Sequence, residues 1–112
     1  MSTPEQPRFN RRGSIRKKPR GKITLELYAN MGLGPNLAHV LWDISQTGAC
    51  IIASAGLKVR DEVELFLSST AFPKRLKLKA EVIWVQELEN QMISAGLRFS
   101  RALTYSELQN LT

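Results

Sequence analysis

From residue 23 onward, apolar and polar side chains alternate with a period of two. In ITLEL, Ile23, Leu25 and Leu27 share one face, with Thr24 and Glu26 on the other. HVLWDI sets Val40, Trp42 and Ile44 against His39, Leu41 and Asp43, so strict alternation assigns Trp42 to the core. ACIIA is a short apolar run, and EVELFL groups Val63, Leu65 and Leu67. In LKLKAEVIWV, Leu76, Leu78, Ala80, Val82 and Trp84 face one way, while Lys77, Lys79 and Glu81 face the other. SAGLRF closes the series with Leu97 and Phe99. Half-buried antiparallel strands have this pattern, and several short ones in a row predict an all-β fold: a six- or seven-stranded antiparallel β-barrel, closed or nearly closed.

The breaks between these segments carry turn chemistry: NMGLGPN, SQTG, SAGLKVRD and SSTAFPK. The last residues change character. In LTYSELQNL, Thr104 and Glu107 stand at capping-box spacing, flanked by Leu103 and Leu108 as a hydrophobic staple. A short C-terminal helix is expected there, with Leu108 and Leu111 against the barrel.

A chain of 112 residues suggests one domain with a modest core. No apolar run reaches the length of a membrane span. The first residues, MSTPEQPRFNRR, lack the apolar stretch of a signal peptide, and the one cysteine, Cys50, has no partner for an internal disulfide. Both features give the expectation of a cytoplasmic protein.

Charge divides the chain. Residues 1–22 carry eight cations and one acid, a balance of +7, whereas residues 23–112 carry eight cations and nine acids, a balance of −1. NRRGSIRKKPRGK, residues 10–22, holds seven cations and one large apolar side chain, Ile15. Such a segment has little to bury, so residues 1–22 read as a flexible basic leader and residues 23–112 as the folded domain. An anionic partner met by a local segment is implied.

Catalytic and metal chemistry find no support. One histidine, His39, and one cysteine supply neither a metal cage nor a paired nucleophile and base. Glu62 and Glu64, two apart on a strand, fit a solvated sheet face. GLG at 32–34 lacks the remaining glycine and the strand-to-helix setting of a dinucleotide fingerprint. The expectation is a binding protein, not an enzyme.

Two spaced motifs remain. In the leader, arginines recur four apart, at Arg12 and Arg16 and again at Arg16 and Arg20. Downstream, DISQTG places Asp43, Ser45 and Gly48 at a strand end. In this order, ahead of a β-rich chain with AEVIWV and GLRF, they resemble the PilZ domain family from Arg11 onward. That family pairs an RxxxR motif before the first strand with a [D/N]xSxxG motif on the barrel, and it binds the bacterial second messenger cyclic di-GMP. The resemblance implies Arg12, Arg16, Asp43, Ser45 and Gly48 as ligand-binding residues, with Arg11 and Arg20 as possible additions. The overlapping pair Arg16 and Arg20 is the alternative register.

The ligand implied by the resemblance suits these residue types. Guanine presents O6 and N7 as adjacent acceptors, which one guanidinium fork meets together, and lysine cannot make that planar pair. Phosphate oxygens take further guanidinium donors. Asp43 can accept from the opposite guanine edge, Ser45 can donate and accept, and Gly48 offers a turn with positive φ and clear space beside a flat base. The implied partners are cyclic di-GMP, with no further cofactor, and a downstream protein in motility or polysaccharide control. Two alternatives stand beside this reading: a small basic β-barrel that binds nucleic acid through its arm, and a PilZ-like adaptor without nucleotide. The near-neutral domain argues against the first, and the intact Asp43, Ser45 and Gly48 argue against the second.

Overall fold

The computed structural model describes residues 17, 23–29, 34–69 and 75–111. Six strands, β1 (Ile23–Tyr28), β2 (Ala38–Ile44), β3 (Gly48–Ser54), β4 (Glu62–Ser69), β5 (Leu76–Glu87) and β6 (Met92–Phe99), precede one helix, α1 (Tyr105–Leu111). They form one antiparallel sheet in the order β1-β4-β5-β6-β3-β2. Its two edges curl toward each other. The side-chain oxygen of Asn36 accepts from the backbone of both Leu27 and Ala38 at 2.9 Å, and Leu37 N donates to the Leu27 carbonyl at 2.9 Å. One loop residue thus satisfies backbone donors on both edges, and the barrel is nearly closed.

The interior follows the period of two. Leu27, Val63, Leu65, Leu67, Leu78, Val82, Ile93, Leu97 and Phe99 are all buried in one core. Where the pattern breaks, a bulge is responsible. Strand β2 carries two extra residues relative to β3, at His39 and at Trp42. A strand lengthened in this way brings Ala38, Leu41 and Ile44 inward at a spacing of three. Leu41 is 7% exposed, while Val40 and Trp42 are 45% and 52% exposed. The strand therefore departs from strict alternation, with Leu41 inside and Trp42 outside. A third bulge, between Val82 and Trp84, turns Val85 toward the core and Trp84 to the outer face.

Helix α1 starts as the capping box predicts. Glu107 N donates to Thr104 Oγ1 at 3.0 Å and Thr104 N to Glu107 Oε1 at 2.9 Å. Leu103, Leu108 and Leu111 are buried against the barrel. Arg101 grips Glu107 with both ends of its guanidinium, at 2.9 and 3.0 Å. That fork, together with the Thr104 N–H, lowers the Glu107 carboxyl from 4.5 to about 2.

Candidate functional site

The site grows from the corner between β2 and β3. Ser45 and Gly48 close a tight turn: Ser45 N donates to the Gly48 carbonyl at 2.8 Å. The Ser45 hydroxyl accepts from Thr47 N at 3.3 Å and Gly48 N at 3.2 Å, and donates to the Gly48 carbonyl at 3.3 Å. Ser45 is only 2% exposed. Its hydroxyl is committed to the turn, as expected of an ST-type side chain at a strand end.

Neighbouring segments clamp this corner. Phe99 N donates to the Thr47 carbonyl at 2.8 Å and Leu103 N to the Gln46 carbonyl at 2.7 Å. Gln46 Nε2 returns a bond to the Leu103 carbonyl at 3.1 Å. A corner tied on both sides holds the adjacent carboxylate in a fixed place. Gly48 opens β3 opposite Arg98, and it is not among the glycines with positive φ. The expected left-handed turn at Gly48 is thus corrected: the Ser45 hydroxyl closes the turn without it.

Asp43 pairs with Cys50 across β2 and β3 and is half-buried. Cys50 pairs next with Gly96, and Gly96 with Trp84. Because side chains alternate across each strand, Asp43, Cys50, Gly96 and Trp84 form one row on the outer face. The middle of the row carries little bulk of its own: Cys50 is small and 4% exposed, and Gly96 has no side chain. The Trp84 indole lies over Gly96: a Cβ built there would overlap Nε1, Cε2 and Cδ1 of that ring. Trp84 is half-buried on the outside of the barrel, a correction to its expected place in the core. The parallel row runs Gly48, Arg98, Glu81, with Arg98 Nη2 2.8 Å from Glu81 Oε1.

The leader meets the same corner. Lys17 N donates to the Ile44 carbonyl at 2.8 Å and Ile44 N to the Lys17 carbonyl at 2.9 Å. This is an isolated antiparallel bridge at the β2 edge, on the residue between Asp43 and Ser45. Arg11, Arg12, Arg16 and Arg20 lie outside the described residues. The structure thus brings Lys17, Asp43, Ser45 and Gly48 together.

Trp42, Trp84 and Arg98 belong to the same outer face, whereas alternation places both indoles inward. A bulge reverses the side-chain sense of the first two. For Arg98, register with Gly48 across the sheet is a long-range property. The shallow groove of about 350 Å³ over β4, β5 and β6 is lined by Glu62, Glu64 and Glu81 as well as Lys79 and Arg98. Three carboxylates make it a poor host for a dianion. Among the described residues no group of three or more His, Cys, Asp or Glu could hold a metal ion. Nor is any helix there long and apolar enough to cross a membrane.

The model of the PilZ domain matches residues 7–112. The chain belongs to the PilZ domain family. This family is generally one of cyclic di-GMP-binding domains, and its members act as binding and adaptor modules. Among solved structures, the Bacillus subtilis inhibitor of motility, MotI/DgrA, is similar at 12% identity with a TM-score of 0.60. That match covers 88% of this PilZ chain and 47% of the solved one, so the present chain spans about half the length of that neighbour. At this identity the likeness establishes the shared fold. No curated protein matches the chain.

Proposed function

We propose that this PilZ domain is a cyclic di-GMP receptor in which residues 1–22 act as a strap over a nucleotide held on the barrel of residues 23–112. The observation that carries the reading is the bridge between Lys17 and Ile44. Arg16 is bonded to Lys17, so one peptide unit, ~3.8 Å between Cα atoms, separates it from a residue hydrogen-bonded between Asp43 and Ser45. Arg12 and Arg16 supply forks for guanine O6 and N7 and for phosphate oxygens, with Arg11 and Arg20 in reserve. Asp43 accepts from the other guanine edge. Ser45 and Gly48 serve by building the turn that presents Asp43.

Fixing the strap costs roughly 1–2 kcal/mol of backbone entropy per ordered residue, which the charge-assisted contacts offset only when the nucleotide is present. The closed strap then offers a new surface to a downstream protein. The structural neighbour is named for inhibition of motility, which supports motility as one outlet. Calorimetric titration with cyclic di-GMP tests the proposal. Saturable binding is expected, with Arg12→Ala and Arg16→Ala weakening it far more than Lys17→Ala or Lys18→Ala. Equal losses at all four positions would reveal a diffuse electrostatic contact instead.

One observation favours a second reading, a PilZ adaptor that works by protein contact alone. The Ser45 hydroxyl is fully occupied within its turn, so the motif would persist for geometry after loss of the ligand. Partner capture that needs no nucleotide and survives Asp43→Ala would select this reading.

A further inference from the structure

We propose that Trp42 is a stacking platform for one guanine of the bound nucleotide, an inference that rests on cyclic di-GMP being the ligand. The apolar pattern of β2 would bury this indole beside Val40 and Ile44. Two one-residue bulges, at His39 and at Trp42 itself, send Leu41 inward in its place. Bulges re-aim side chains and recur beside binding sites. Trp42 and Asp43 together oppose Cys50, so the bulge sets the indole and the carboxylate side by side on the outer face.

The surroundings suit a flat guest. Trp42 is 52% exposed beside the buried Cys50, with the Trp84 indole packed over Gly96 farther along the row. Three strand spacings, about 14 Å, separate the backbones of Asp43 and Trp84 at the two ends of this row. Asp43 and the leader arginines address the edges of the bases and the phosphates, and hydrogen bonds of that kind leave the π-faces of guanine uncovered. An indole beside the carboxylate covers such a face, and stacking tolerates any orientation of the ring within its plane.

The test uses the full chain, cyclic di-GMP, and the variants Trp42→Ala and Trp42→Phe in calorimetry. Trp42→Ala should weaken binding roughly 5- to 150-fold, the range that follows from alanine replacement of a stacked aromatic, and Trp42→Phe should restore most of it. In protein labelled with 5-fluorotryptophan, the fluorine resonance missing from Trp42→Phe should shift at saturation. Should Trp42→Ala bind within twofold of wild type while Asp43→Ala binds no nucleotide, the receptor stands and the platform falls. If wild type takes up no cyclic di-GMP, both fall. Where Trp42→Ala misfolds by circular dichroism, the wild-type fluorine signal decides, and a resonance unmoved at saturation overturns the inference. A Trp42→Ala protein that keeps its nucleotide but loses a protein partner also overturns it, in favour of a contact residue.

Discussion

Replacing Ser45 by Ala separates the two roles its hydroxyl could play. The oxygen accepts from Thr47 N and Gly48 N at 3.3 and 3.2 Å, and it donates to the Gly48 carbonyl at 3.3 Å. Each bond is longer than the 2.9–3.0 Å typical of N–H donors, so each contributes at the low end of about 0.5–1.5 kcal/mol. Gly48 N is buried, and losing its partner adds a desolvation penalty of about 1 kcal/mol. The Ser45 N bond to Gly48 at 2.8 Å survives the change and limits the damage. A net loss of about 1–2 kcal/mol follows, comparable to removing a helix N-cap. For a domain of this length that lowers the melting temperature by roughly 4–8 °C. Urea unfolding should show a lower midpoint with an unchanged slope. A Ser45→Ala protein that melts like wild type yet binds cyclic di-GMP far more weakly would refute the turn role and put the hydroxyl on the ligand.

Other expectations follow from the packing. Gly96→Ala drives a Cβ into the Trp84 indole and must displace it, at roughly 1–3 kcal/mol; chemical denaturation should register this, and Trp84→Ala in the same chain should relieve it. Unchanged stability in Gly96→Ala would mean the indole lies elsewhere. Leu108→Ala removes a buried contact between α1 and the barrel and should cost about 2–4 kcal/mol in the same assay, whereas a loss below 1 would show that the helix docks loosely. Glu107 has its folded pKa lowered to about 2, so its contribution is complete above about 4.5 and fades as pH falls through 2. Melting temperatures from pH 6 to pH 2 should therefore show a wild-type advantage over Glu107→Gln that is constant at the top and shrinks toward the bottom. A gap independent of pH would contradict that.

Local chemistry made much of this fold legible. Val63, Leu65 and Leu67 alternate cleanly because β4 pairs without interruption on both sides. Thr104 and Glu107 carry their capping geometry in their spacing alone. Alternation places Trp42 and Trp84 in the core, and the structure differs because a bulge inverts alternation without any mark in composition. The reversal between β5 and β6 is likewise silent: Asn90 and Gln91 both adopt φ of 61°, with neither Gly nor Pro to announce the turn. At the site, Asp43, Ser45 and Gly48 stand out by their spacing, but spacing alone points to Gly48 as the residue that makes the turn. The Ser45 hydroxyl, not a left-handed Gly48, closes it. The bridge between Lys17 and Ile44 joins residues far apart in the chain, and no periodicity encodes it.

Amide hydrogen exchange on the full chain, with and without cyclic di-GMP, tests most directly whether strap and corner meet at one nucleotide. Slowed exchange in residues 11–22 and in residues 43–48 together, rising with the same apparent affinity, is the predicted result. Protection confined to one of the two segments, or absent from both at saturating nucleotide, would contradict the account.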